Sequence, residues 1–242
     1  GDSDKIDQLK YVKSLAAPYS AFQSSAKIKE KQKEKKEQSG VALCISSLLR
    51  YMDISTPSLI EKIIHALPEK PDLFGHFPSQ SKNEKNLKFI EKIKEECNQS
   101  FITFEEDYVS ELYLDYNENL NAFQRHGLKG NLLQWASMKK CLEMKMSEEE
   151  NRGDQYKCVI WTRPDLYYFN SLENINNLIG HELWIPCHDN HLCGLFDRFC
   201  LGTSDAMNAR MNMFDYFTQE WYPNFHNDCS WKCISCRKIS FK

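Results

Sequence analysis

The sequence predicts an open α/β sheet with helices on both faces, and three observations point to it. Short apolar runs without polar interruption, VALCIS at 41–46 and KCVIW at 157–161, have the composition of strands buried on both sides. Segments with apolar residues at helical spacing lie between such runs. Strand, helix and strand follow one another within about forty residues, the layout of a βαβ unit with a parallel crossover.

Taken in order, the elements begin after a distinct N-terminal stretch. Residues 1–39 open with spaced apolar positions (Ile6, Leu9, Val12, Leu15) and continue as AKIKEKQKEKKEQ, charged throughout. This reads as a solvated helix or tether; a linker and an oligomerisation or membrane-apposed arm both suit it. Ser39-Gly40 breaks the pattern, and the folded domain is expected over 40–242 with Val41–Ser46 as its first strand. A helix is predicted from Thr56 to Ala66, with Thr56 as N-cap and Pro57 in the first turn. A second apolar strand falls at Pro71–Phe77. A second helix fits Glu84–Cys97, with Leu87, Ile90 and Ile93 facing inward. FITFEEDYV at 101–109 reads as a strand or a strand-like edge. Asn131–Met146 has the spacing of a largely buried helix, although Gly130-Asn131 is an ambiguous start. KCVIWTRPD supplies the next central strand, which Pro164 ends just before Asp165. ELWIPCHD at 182–189 repeats that layout of apolar run, proline and acid. Thr203 or Ser204 then caps a helix bearing Met207, Met211, Phe214 and Phe217.

Bulk properties remove several function classes. The 242 residues, 41% hydrophobic and 12% aromatic, suffice for one sizeable core. Lys and Arg number 31 against 34 Asp and Glu, a net charge of -3, which gives no basis for a polyanion-binding surface, so nucleic acid is not an expected partner. No apolar run reaches the length of a transmembrane helix, and no signal-peptide core is present in the chain as given. A cytoplasmic setting is the expectation, and an upstream anchor before Gly1 is compatible with it. GxGxxG, GxxxxGK[ST], HExxH and GxSxG are all missing, which removes the usual dinucleotide, P-loop, zincin and serine-hydrolase signatures.

In open α/β sheets ligands bind past the carboxyl ends of the strands, where strand order reverses. The strand-end candidates are Ser46, Ser47 and Arg50 after the first strand and His76 after the second. Arg163 and Asp165 follow KCVIW, and Asp189 follows LWIPC. A guanidinium takes a phosphate bidentately and a carboxylate takes a divalent cation, so Arg163 with Asp165 suits a nucleotide diphosphate and its metal. The same spacing serves an Arg163–Asp165 ion pair or an Asx turn after Pro164.

The ordered set VALCISSLLRY, DLFGHF, NLLQWASMKKCLEM, VIWTRPDLYY, LWIP and FDRFCLGTSDAMN resembles glycosyltransferase-like proteins of bacteria, algae and large viruses with the GT-A nucleotide-sugar-binding fold, over roughly residues 41–217. The resemblance implies a mostly parallel GT-A-like sheet, a nucleotide-sugar donor (UDP-linked favoured), a glycan or glycoconjugate acceptor, and manganese or magnesium. It implies that Ser46, Ser47 and Arg50 line the nucleotide and that Asp165 contacts the metal or ribose. Where GT-A enzymes carry Asp-x-Asp, this chain has Arg163-Pro164-Asp165, one base and one acid, so Arg163 is expected to supply charge that a second acid and its metal otherwise provide. Asp197 falls where an inverting enzyme keeps its carboxylate base, with Asp189 as second choice. An ion pair or a helix cap is the plain alternative for Asp197. His226, in NFHND, falls where a C-terminal histidine reaches the metal; a solvated tail residue is its alternative.

Ten cysteines are present. Cys44 and Cys158 lie inside apolar runs and read as buried free thiols, which favours a reducing compartment. Cys187, His188, His191 and Cys193, with Cys229, Cys233 and Cys236, leave structural zinc, a disulfide and free thiols open. WYPNF at 221–225 suits core packing or stacking on a sugar or base.

Overall fold

The computed structural model describes residues 38–106, 122–172, 183–186 and 198–221. The chain divides into two units, Gly1–Lys36 and Glu37–Lys242, and the described residues belong to the second. The charged arm lies outside the described residues.

The first strand, β1 (Val41–Ser46), is buried at every position. That follows from its place, because parallel strands flank both of its edges: β2 (Asp72–Pro78) and β4 (Cys158–Thr162). β3 (Ser100–Glu105) adds to β2 in parallel, as an edge strand with no fully buried residue. Beyond β4 the direction changes. β5 (Leu183–Trp184) is antiparallel to β6 (Phe199–Gly202), which is antiparallel to β4. The order is β3-β2-β1-β4-β6-β5, a mixed sheet of six strands.

Two apolar layers cover the sheet because alternate strand residues face opposite ways. Val41, Leu43, Ile45, Leu73, Phe77 and Ile160 pack with Met52 and Leu59 of α1 (Met52–Lys62), with Ile63 just past its end, and with Ile90 and Ile93 of α2 (Glu84–Glu95). Ala42, Cys44, Phe74, Val159, Trp161 and Cys200 pack on the other face. They meet Met138, Cys141 and Leu142 of α3 (Ala122–Arg152) and Met207 and Met211 of α4 (Ser204–Met211). Cys44 and Cys158 are free and buried as expected, and burial pushes both thiols up to about 12. No described helix is long and apolar enough to cross a membrane.

Several boundaries differ from expectation for physical reasons. α1 begins at Met52, preceded by Tyr51 in the left-handed conformation (φ 54°), so Thr56 is a buried helical residue and not an N-cap. Pro57 lies inside α1; it and Asp53, four residues back, are both exposed, so the carbonyl left without an N–H donor faces water. α3 starts before Gly130 and runs on to Arg152. A Cβ at Gly130 would meet nothing within 4 Å. The glycine therefore fills no packing need and costs helix propensity alone. The described part of ELWIPCHD, residues 183–186, contains the two-residue strand β5, and FCLG, which the sequence left unassigned, is β6. The caps at Asn83 and Thr203 accept from Asn86 N (2.9 Å) and Ala206 N (3.4 Å).

The end of α3 carries one buried ion pair, Lys145 with Glu149, that is satisfied inside the fold. Lys145 is fully buried, and its ammonium donates to Glu149 Oε2 (2.9 Å), Ser204 Oγ (2.5 Å) and Asn208 Oδ1 (2.7 Å). Glu149 Oε1 accepts from Ser204 Oγ (2.7 Å) and Tyr156 N (2.9 Å). This network ties α3 to α4 at the amino ends of the strands. Lys145→Met leaves the Glu149 carboxylate buried without a cation and should destabilise the protein by about 3–5 kcal/mol in urea unfolding. The double variant Lys145→Met, Glu149→Gln should recover a large part of that loss; equal losses in the two would contradict the buried-charge account.

Candidate functional site

The chain passes from β1 outward to β3 and then returns to the other side of β1 to form β4. The reversal opens a crevice past the carboxyl ends of β1 and β4, where Ile45, one residue before the end of β1, lies opposite Thr162, the last residue of β4. Ser46 is fully buried, and its Oγ accepts the Trp161 indole N–H at 2.9 Å, so this hydroxyl is committed to the core. Ser47 follows with φ 121°, a region that side-chain-bearing residues rarely occupy. Arg50 is exposed, next to Tyr51.

Across the crevice, Arg163 and Asp165 form a bidentate pair. Arg163 Nε donates to Asp165 Oδ1 (2.9 Å) and Nη2 to Oδ2 (2.6 Å), while Nη1 donates to Gln134 Oε1 of α3 (3.3 Å). The ion pair that spacing alone left open is therefore present. The backbone is held as firmly: Arg163 N donates to Arg198 O (3.1 Å), and Tyr168 N to Ser58 Oγ of α1 (3.1 Å). Thr162 Oγ1 and the Tyr168 hydroxyl are hydrogen-bonded, and burial raises the Tyr168 phenol above its ordinary range. Guanidinium donors not used by Asp165 and Gln134 remain for an anion.

Gln134 also lines a small pocket of about 80 Å³ between α3 and the carboxyl ends of β1, β2 and β3, with Ser47, His76, Gln80, Glu105, Glu106 and Ser137 as its polar wall. His76 is 5% exposed. Its Nδ1 lies 2.7 Å from Ser137 Oγ, which donates to the His76 carbonyl at 3.0 Å, and its Nε2 lies 3.5 Å from Glu105 Oε2. That last distance is too long for a good hydrogen bond, so Nε2 has no hydrogen-bond partner, although Glu105 is close enough to pair with a protonated ring. Burial lowers the affinity of the imidazole for a proton, partly opposed by Glu105.

Sequence reasoning placed His76 at a strand end but missed Glu105, Gln134 and Ser137. Strand period was the available signal, since His76 shares a face with Phe74, which packs toward α3. Ser47 lines the pocket with Gln134, and Gln134 accepts from Arg163, which pairs with Asp165; neither Arg163 nor Asp165 lines the pocket itself. Asp189, Asp197 and His226 lie outside the described residues, as do Cys187, His188, His191, Cys193, Cys229, Cys233, Cys236 and residues 222–225 of WYPNF. Among the described residues no three His, Cys, Asp or Glu side chains are grouped to hold a metal ion.

A family model described as a domain of unknown function (DUF7796) matches residues 36–241. No curated protein matches the chain.

The His76 environment sets a pH dependence of stability. The groups acting on its ring are Glu105, Lys140 and Glu143. A neutral His76 in the fold binds fewer protons than the same residue unfolded, which titrates at about 6.5. Its stabilisation is complete above that value and is lost as pH falls through it toward the lower folded value. The melting temperature should therefore drop more between pH 8 and pH 5.5 in the native protein than in His76→Asn, whose amide can still donate to Ser137. Identical drops would show that His76 does not contribute.

Proposed function

The chain belongs to the DUF7796 family, and from the geometry of its crevice we propose that it is a GT-A-like glycosyltransferase, moving a sugar from a nucleotide-sugar donor, UDP-linked by preference, to a hydroxyl of a glycan acceptor. The observation that carries the reading is the coincidence of the strand-order reversal with an oriented guanidinium. Arg163 is fixed by Asp165 and Gln134 at the carboxyl end of β4, and the strained Ser47 follows the neighbouring strand β1. A diphosphate needs fixed donors at such a point, because a preorganised cation loses little freedom on binding. The four parallel strands and the returning antiparallel β6 are compatible with a GT-A sheet.

In this reading Arg163 bonds the diphosphate and gains strength as charge builds on the leaving oxygen. The acceptor hydroxyl attacks the anomeric carbon, the bond from that carbon to the diphosphate breaks, and a carboxylate takes the hydroxyl proton. Asp197 is the assigned base, with Asp189 second. Asp197 immediately precedes Arg198, whose carbonyl accepts the Arg163 N–H. A divalent cation is implied by the family resemblance, but the described residues do not fit one. Both Asp165 oxygens face Arg163, and no three ligating side chains are grouped there. Arg163 meets the diphosphate charge instead.

The occupied Asp165 carboxylate also favours a second reading, a nucleotide-sugar or glycan-binding module without turnover. Both readings expect a UDP-, GDP- or TDP-sugar at saturating concentration to raise the melting temperature by about 5 °C, with or without manganese. Arg163→Ala should weaken that binding at least tenfold. Absence of a shift with every donor would remove the enzyme and the nucleotide-sugar module alike. Donor hydrolysis or transfer separates the enzyme from the module, and Asp165→Asn should then lower turnover at least tenfold, because Arg163 loses its orientation.

A further inference from the structure

The hydrogen positions around His76 are set by its neighbours. The Ser137 hydroxyl lies 3.0 Å from the His76 carbonyl and 2.7 Å from Nδ1; when its one proton goes to the carbonyl, Nδ1 is the ring nitrogen that donates to it. Nε2 is then a bare acceptor, buried and without a partner, aimed at a carboxylate 3.5 Å away that is itself an acceptor. Two acceptors face each other across a gap that a donor must fill. A buried acceptor left empty costs stability, and a ligand that supplies the bond recovers that cost.

The remaining lining narrows what that ligand is. Glu105 and Glu106 are acidic, and the pocket wall contains no lysine or arginine, so a phosphate is repelled. Leu48, Leu133 and Ala136 provide apolar walls suited to the C–H face of a sugar ring. A volume of about 80 Å³ admits a fragment and not a whole nucleotide. A metal ion would use both groups but finds no third His, Cys, Asp or Glu side chain grouped with them among the described residues, and an organic cation with N–H donors is the competitor for this site.

We propose that this pocket is a binding site for the vicinal diol of an uncharged sugar, one hydroxyl donating to His76 Nε2 and its neighbour to the Glu105 carboxylate. The ring is either the ribose of a nucleoside or a free hexopyranose. The assignment deepens the donor-binding reading, because it places a hydroxyl-rich moiety beside Gln134 and Arg163. Its own support is the unpartnered nitrogen, and it holds whether or not transfer occurs. Ser137 positions the imidazole by fixing its tautomer.

The test is ¹⁵N NMR of the full chain labelled at histidine, near pH 7.5, titrated with uridine, 2′-deoxyuridine, methyl α-D-glucopyranoside and methylguanidinium. The Nε2 resonance of His76 should move with uridine or with the glucoside, and the responding probe identifies the ring. The proposal is overturned if neither moves it, if 2′-deoxyuridine matches a responding uridine, or if methylguanidinium alone responds. Glu105→Gln, at a side chain 42% exposed, should keep the fold and weaken the responding probe at least tenfold. UDP-glucose separates the two claims. Diol binding without UDP-glucose binding keeps this site and removes the donor reading. UDP-glucose binding that is equal in native protein and Glu105→Gln, with no diol response, removes this site and keeps the donor reading.

Discussion

The crevice depends on β1 being enclosed by parallel neighbours on both edges, with the chain reversing its order between β1 and β4. A strand in that position has no wet face, which is why VALCIS contains no charge and why all six of its residues are buried. The Ser46–Trp161 hydrogen bond locks the two strand ends together. Past these ends Ser47 turns with positive φ and lines the pocket beside α3, and Arg163 donates to Gln134 of the same helix. The site is therefore a consequence of topology before it is a matter of side chains.

What the sequence made legible follows from the same constraint. β1, β2 and β4 could be read because burial on both faces demands an unbroken apolar run. β5 could be read as the apolar start of ELWIPCHD, though not its two-residue length, and β6 could not, since four residues carry too little pattern to separate from a loop. The start of α1 was hidden by an exposed proline inside the helix, and the true length of α3 by an exposed glycine and by charges that are buried in pairs. At the site, the strand-end rule found Ser47, His76, Arg163 and Asp165. It could not find Glu105, Gln134 or Ser137, which stand far from them in sequence and meet them only because β3 and α3 are laid beside β2. Whether Arg163 pairs with Asp165 was undecidable from spacing, because a two-residue separation serves both a pair and two independent ligands.

The pairing changes the electrostatics of the crevice. Glu105 and Glu106 face the pocket at the β3 side, while the guanidinium lies at the β4 side, with the neutral amide of Gln134 touching both. An anion is favoured at one end and disfavoured at the other. A ligand that spans them must itself be divided, charged where it meets Arg163 and neutral but rich in donors where it meets His76. A nucleotide sugar has that division, and a simple polyphosphate does not.

The two ends of the strands also differ in how their polar groups are satisfied. At the amino ends, Asp72 accepts from Tyr156 (2.7 Å), Arg152 (3.3 Å) and Asn98 (2.9 Å), and the Lys145 network closes on itself. Groups bonded so completely rigidify the fold and leave nothing to offer a ligand. At the carboxyl ends a buried imidazole nitrogen lacks its partner and a serine holds a strained backbone. Folding alone gains nothing from either feature. Both persist because the enclosed strands beneath them fix the geometry, and a donor-bearing ligand is what would complete it.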